Sequence, residues 1–462
     1  MIALTYYCFI LATVLMGLSA RWRTALFMCI VLDVLRDPVR KMTPFQPVTI
    51  TVVISLAWLA VVGGAIMHEQ GCIKAILNEY PALKNVFYLF IAAIIPGTLV
   101  SIGLYDGGWK LAMIGLISYG APILGLLAGC TFARQSEELW QLLLAFIAVN
   151  AIALTGTYFE AFGWNVPGLG GLQGVNWVRT HSGGSLQLYG GFYRSPDVMG
   201  LHAAHVVIFS IIGIGYFWSQ RKQGWIVWAM MFAICWASYA LILSGRRKML
   251  AMPIVFLAIY FMYIFRSSHP AVRRLMTAVS MVAIGLSIIL LQTAEVPSAS
   301  LEYSESIWYE SADRIQHSVW NSVWETIRQN GVMGYGLGVA TQGSRYVANP
   351  SVSSWQEDGL SRAVGELGVP GLLIAFVSIV SFAGVIRQSV ARSLGNDTDK
   401  ILQWGLVAIV LANGATFIVS HQVYSGDPSI AMLIGLETGF ILALGARPSE
   451  DLQVQPVADE SV

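Results

Sequence analysis

Charge is what this sequence has least of. Asp, Glu, Lys and Arg make up 11% of its 462 residues, less than half of the roughly 25% carried by a soluble domain. So few ions cannot keep a surface of this size in water, so most of it must face lipid. Hydrophobic residues account for 56%, and the mean hydropathy is +0.65. A net charge of +1 leaves no basic excess for a nucleic-acid partner. Cysteine is scarce as well. Cys8, Cys29, Cys72, Cys130 and Cys235 lie mostly inside apolar runs with no metal-ligand spacing, and are expected to be buried hydrophobes without a disulfide framework. No P-loop, dinucleotide fingerprint, HExxH or nucleophile-elbow serine is present. That removes ATP-driven transport, argues against a soluble nucleotide-sugar donor, and leaves no cofactor to be expected.

What the chain has in abundance is apolar runs of roughly 17–25 residues, the mark of a polytopic helical membrane protein. The first, Leu4–Ala20, has neither a basic start nor a small-residue cleavage site, so it reads as a span rather than a removed signal. Between RWR at Arg21–Arg23 and RDPVRKM at Arg36–Met42 lies a short piece, Ala25–Leu35, whose length fits either a thin span or an interfacial helix. Further spans are expected near Val48–Met67, Val86–Leu104, Leu111–Cys130, Leu142–Tyr158, Met199–Trp218, Trp225–Ser244, Leu250–Phe265, Leu275–Leu291, Val369–Ile386, Leu402–Ser420 and Ile430–Leu444. The reading is an all-α polytopic membrane protein with about twelve transmembrane helices. Its single membrane domain covers residues 1–446, with external loops 163–197 and 294–362, and 447–462 form an acidic, disordered cytoplasmic tail.

Basic residues in short loops mark the cytoplasmic side. Arg221 and Lys222, then Arg266, Arg273 and Arg274, then Arg387, Arg392 and Lys400 place three loops there. Alternation puts 163–197, the GRRK turn at Gly245–Lys248, the large loop and His421–Asp427 outside. The N-terminal quarter resists the scheme, because both of its basic clusters flank one short apolar piece.

The large loop, from Val296 to Pro370, is the longest polar stretch of the chain. Ile315, Val319, Val323 and Ile327 repeat at helical spacing beside Trp320 and Trp324, and Asn330-Gly331 ends the pattern. Such a helix lies on the membrane surface or packs on its own domain. The glycine run GYGLG at Gly334–Gly338 follows no strand, so it reads as a tight turn letting backbone approach lipid or sugar.

Three groups of residues could carry chemistry. Arg246, Arg247 and Lys248 run against the positive-inside trend; guanidinium forks suit phosphate oxygens, and headgroup anchoring at a span end is the alternative. In GGFYRSPDVMGLHAA, Ser195-Pro196-Asp197 reads as a helix start. It holds Arg194 at the mouth of the next span, free for an anion or paired with Asp197. His202 and His205 follow on that helix and are expected to pack inside the bundle, with no carboxylate or cysteine set to make a metal site. In EDGLSRAVGELG, Asp358, Arg362 and Glu366 share one helix face. Glu357 at its start could accept a proton from an attacking hydroxyl; the alternative is an ion-pair ladder with acids at the helix N-terminus. Arg314 is one more candidate anion contact.

The order of GGFYRSPDVMG, LILSGRRKML, DRIQHSVWNSVWETIRQNGVMGYGLG and EDGLSRAVGELGVPG resembles the O-antigen ligase/polymerase superfamily of bacterial inner-membrane proteins, over the second half of the chain. The resemblance implies transfer of a glycan from undecaprenyl diphosphate. Catalytic roles then fall to Glu357, Arg246 and Arg194, and substrate contacts to Arg247, Lys248, Arg314, Asp358, Arg362 and Asp197. Membrane lipid and other polysaccharide-assembly proteins are the implied partners. Family ligases usually place His-Asn where this chain has Glu357-Asp358, which favours a polymerase over an O-antigen or protein O-oligosaccharide ligase. A flippase for the lipid-linked glycan is the reading from another class; it predicts more charges deep in spans than Asp33 and Glu437.

Overall fold

The computed structural model describes residues 1–132, 136–181, 184–220, 224–267, 319–347, 356–392 and 397–446. The expected span Leu275–Leu291, Arg314 and the tail 447–462 lie outside the described residues. Among the described residues, ten helices are long and apolar enough to cross a membrane. They are α3 (Thr49–His68), α5 (Ala82–Leu104), α6 (Gly108–Phe132), α7 (Ser136–Ala161), α8 (Pro196–Ser219), α9 (Gly224–Leu243), α10 (Arg247–Ser267), α12 (Gly359–Arg392), α13 (Asp397–Val419) and α15 (Pro428–Gly445). Shorter or more polar helices complete the set: α1 (Ile2–Gly17), α2 (Trp22–Met42), α4 (Gln70–Glu79), α11 (Asn321–Asn330) and α14 (Gln422–Ser425). The segment after α7 also holds a small antiparallel hairpin, β1 (Val178–His181) and β2 (Gly184–Gln187), with Val178 opposite Gln187 and His181 opposite Gly184. The sequence pattern gave no sign of it.

Helix α8 is the axis of the bundle. Every residue from Pro196 to Phe217 is buried, as expected of a helix that is apolar all round and enclosed by others. It packs against α7, α9, α10 and α13. Its start follows the rule read from sequence: Ser195 caps it, accepting the Val198 N–H at 3.4 Å, and Pro196 opens the first turn. A second axis is the α6–α15 pair, joined by two facing small-residue motifs. Gly125 and Gly129 of α6 lie on the carbonyls of Met432 and Leu436, and Gly435 and Gly439 of α15 on those of Pro122 and Leu126. A methyl group at any of the four would overlap backbone, so the absence of side chains is what lets these helices touch.

The basic stretch of the N-terminal quarter resolves as one charged helix. Ala25–Leu35 and all of RDPVRKM form the single 21-residue α2, which packs along α1 and α3. Its two basic clusters therefore sit toward opposite ends, with Arg23 and Arg36 about 20 Å apart at 1.5 Å per residue. Arg23 pairs with Glu69 at 3.1 Å at one end. At the other end Arg36, Asp37 and Arg40 are buried. Of the cysteines, all five are free; Cys29 and Cys130 are buried as expected, but Cys8 is exposed on α1.

The glycine run corrects its sequence reading, since its backbone approaches helices rather than ligand. The Leu337 N–H donates to the Gly97 carbonyl of α5 at 2.8 Å, the Ser101 hydroxyl donates to the Leu337 carbonyl at 2.7 Å, and the Tyr335 N–H donates to the Gly365 carbonyl at 2.6 Å. Gly338 has φ +87° and lies on the Leu111 carbonyl of α6, where any side chain would be both strained and blocked. Helix α11 ends at Asn330, with Gly331 at φ +68°, as its sequence implied. Trp320 at its start and Trp324 within it are exposed. Helix α12 breaks at Gly368 (φ +69°), where the following Val369 N–H donates to the Val332 carbonyl at 2.8 Å.

Candidate functional site at one end of the bundle

Two acidic residues organise the end of the bundle where α8, α10, α12 and α15 begin. The first is Asp427, the N-cap of α15, fully buried. Arg36 donates to it twice, at 3.2 and 2.6 Å, and the Arg194 guanidinium lies 3.1 Å away. Arg36 is itself 1% exposed and also meets Asp33 at 2.9 Å and Asp37 at 3.3 Å. Burial alone would raise the Asp427 carboxyl; the Arg36 and Arg194 guanidinium groups overcome that and hold it below the usual carboxylate range. Of the two readings of Arg194, the pairing with Asp197 is thus corrected. Its partner is Asp427, far along the chain.

The turn carrying Arg194 is held by ionised side chains acting on backbone. Glu160, at the end of α7, accepts the N–H groups of Gly190 and Gly191 at 3.0 and 2.6 Å. Lys41 donates to the carbonyls of Gly191 and Tyr193 at 2.8 and 2.6 Å, and Asp37 accepts the Arg194 N–H at 2.8 Å. The Tyr193 hydroxyl donates to Asn150 at 2.9 Å inside the bundle. Charge-assisted bonds to backbone are short and strong, so the turn is fixed and Arg194 is aimed before any ligand arrives. Its side chain keeps 13% of its surface exposed.

The second organiser is Asp197, in the first turn of α8. It takes Arg246 at 2.9 Å and Lys248 at 2.9 Å. The Ser244 hydroxyl accepts the Arg246 N–H at 3.1 Å, Trp177 lies under the guanidinium at 5.6 Å, and the Arg246 Nε is buried with no hydrogen bond. The hairpin explains this placement: the Leu186 and Leu188 side chains cover Gly245, and the Tyr189 N–H donates to the Leu243 carbonyl at 3.2 Å. Arg247 opens α10 beside them. Because Asp197 stands three residues after Arg194, the two arginines share one end of one helix.

Lys248 links this group to the start of α12. It donates to the Ser420 hydroxyl at 2.5 Å, and the next residue, His421, donates its N–H to the Glu357 carbonyl at 3.2 Å. The Glu357 side chain is exposed. Asp358 is not: it caps α12 by accepting the Ser361 N–H at 2.7 Å. Arg362 is buried among the chain's own groups, with Glu366 and Ser118 at 2.9 Å, Thr341 at 3.1 Å and the Tyr119 ring at 4.8 Å. The expected ladder is therefore half present: Arg362 pairs with Glu366, whereas the Asp358 carboxylate is spent on the helix end. Neither Asp358 nor Arg362 faces outward. His421, 1% exposed, donates from Nε2 to the Gln356 carbonyl at 2.6 Å and accepts the Ser425 hydroxyl through Nδ1 at 2.8 Å. Burial, with the nearby Arg362 and Lys248 charges, pushes its pKa down to about 3.

The structure thus gathers Arg194, Asp197, Arg246, Arg247, Lys248 and Glu357 at one end, and buries Asp358 and Arg362 beneath them. Sequence reasoning missed Arg36, Asp37, Lys41, Glu160 and Asp427. The signal was there in RDPVRK: a basic cluster with an adjacent acid that fitted no loop. It also missed that His205 has a carboxylate partner, Glu437 at 3.2 Å, in the bundle interior beside Asn413. Among the described residues no group of three metal-ligating side chains comes together. No protein-family model matches the chain, and no curated protein is significantly similar to it.

Proposed function

We propose that the protein is a membrane glycosyltransferase that moves an oligosaccharide from an undecaprenyl diphosphate carrier to a hydroxyl of another lipid-linked repeat unit. The observation that supports this reading best is the convergence of Arg194, Arg246 and Lys248, anchored by Asp427 and Asp197, beside the exposed Glu357. Anchored, partly exposed cations at the end of a membrane bundle suit a diphosphate that sits at the lipid surface. The opposite end of the bundle carries Arg21, Arg23 and Arg392 in or beside short connections. The positive-inside rule assigns that end to the cytoplasm and the candidate site to the outer face of a bacterial inner membrane.

In this reading Glu357 takes the proton of the acceptor hydroxyl as that oxygen attacks the anomeric carbon. The bond from that carbon to the phosphate oxygen breaks, and the diphosphate leaves with its lipid. Arg194 and Arg246 stabilise the charge that grows on the leaving oxygen. The sugar–phosphate bond supplies the driving energy.

The test is elongation of an undecaprenyl-diphosphate-linked oligosaccharide by the purified protein in lipid nanodiscs, followed by mass spectrometry. Longer lipid-linked chains are expected without added nucleotide. Arg246→Ala should reduce the rate by about 10²–10³-fold, the usual loss on removing one charge-stabilising donor. Glu357→Gln should cost about 10²–10⁴-fold, the range for general-base catalysis. No elongation by the wild type would remove glycan transfer, and undiminished rates in both variants would remove Arg246 and Glu357 from its mechanism.

A further inference from the structure

Below the charged cluster, helices α2, α3, α7, α8 and α15 leave a cavity of about 20 Å³, lined by Asp33, Trp58, Phe146, Asn150, His202 and Ser429 among others. Four buried polar atoms of its lining residues lack an aligned hydrogen bond, Asp33 Oδ1, Trp58 Nε1, His202 Nδ1 and Ser429 Oγ, although the Ser429 hydroxyl lies beside the Asp33 carboxylate. Asp33 Oδ1 is within 2.9 Å of Arg36 but without hydrogen-bond alignment. Trp58, His202 and Ser429 are each less than 5% exposed. A cavity stays dry when its walls are apolar; this one is larger than the roughly 10–15 Å³ one water needs, and it offers the required two to four polar partners.

We propose that the cavity is a water site. The chemistry of the four atoms is complementary to one water molecule. Trp58 Nε1 can only donate and the Asp33 carboxylate only accept, while Ser429 Oγ and His202 Nδ1 can do either. A sodium or calcium ion is a poor fit, because such ions need several oxygen ligands. Here a donor-only indole is among the lining groups, and the one carboxylate is already beside Arg36. The water joins Asp33, and through Arg36 the Asp427–Arg194 pair, to His202. His202 stacks on Tyr193 at 5.2 Å, and Phe146 packs on both His202 and His205 at 5.9 and 6.2 Å. The water therefore occupies the inner end of the network that holds Arg194. This proposal does not rest on which reaction the site performs.

The test is X-ray hydroxyl-radical footprinting of the full-length protein in lipid nanodiscs. Radiolysis of a bound water oxidises the side chains that touch it. Trp58 and Trp22 are equally inaccessible, at 3% and 0% exposure, and Trp109 is 61% exposed. We expect Trp58 to be oxidised at least several-fold faster than Trp22, with its label exchanging to ¹⁸O more slowly than that of Trp109 after transfer to H₂¹⁸O. Ser429→Val removes one partner and puts a methyl group into the cavity, and should bring Trp58 down to the Trp22 rate while Trp109 is unchanged. Equal rates for Trp58 and Trp22 in the wild type would overturn the proposal, whether or not the variant folds. So would a Trp58 rate untouched by Ser429→Val.

Discussion

Asp427→Asn is the most informative single change. It keeps shape and the helix cap, since Asn can still accept the Ser429 N–H that Asp427 takes at 3.1 Å. What it removes is the negative charge facing Arg36 at 2.6 Å and Arg194 at 3.1 Å. Breaking a buried ion pair by deleting one partner typically costs about 3–5 kcal/mol. Arg36 retains Asp33 and Asp37, so the loss should fall at the lower end, about 3 kcal/mol. Asp197→Asn is the control. Its pairs lie nearer the surface, with 13–17% of the side chains exposed, and about 1 kcal/mol is the expectation for such a site. Denaturant unfolding in mixed micelles, followed by tryptophan fluorescence, compares the two. The double variant Arg36→Met/Asp427→Asn should be less damaging than the sum of its singles, because the second change removes the charge the first left stranded. An Asp427→Asn loss below about 1 kcal/mol, or strict additivity in the cycle, would show that this pair does not hold the site end together.

Two further outcomes follow from the geometry. Gly338→Ala forces a side chain onto a φ of +87° and against the Leu111 carbonyl; several kcal/mol of lost stability is expected, with protease cleavage appearing near the Gly334–Gly338 run, whereas the same change at Gly103, where nothing lies within 4 Å, should cost no more than about 1 kcal/mol. His421 has a folded pKa of about 3 against about 6.5 when unfolded. Between those values the unfolded segment binds more protons, so stability is complete above pH 6.5 and declines as pH falls, by about 2 kcal/mol at pH 5. His421→Gln should flatten that part of the stability–pH curve, and an unchanged curve would remove His421 as its source.

Local chemistry was legible in the chain. Apolar run length gave the ten spans seen among the described residues, Ser195-Pro196 gave the start of α8, and Asn330-Gly331 gave the end of α11, because each depends on residues within one or two turns. The clustering of Arg246, Arg247 and Lys248 was visible for the same reason. Partner choice was not. Arg194 could have paired with the acid three residues away; instead Asp197 turns to Arg246 and Lys248, and Arg194 to Asp427. The Arg36–Asp427 contact joins residues 391 apart in sequence, and no periodicity encodes such a distance. The role of the GYGLG run was decided the same way, by glycines on α5 and α6 that leave room for its backbone. Hydrophobic pattern determines what enters the membrane. Which buried charge finds which counter-charge is settled only when the helices meet, since an ion removed from water must be matched by whatever the packed bundle places beside it.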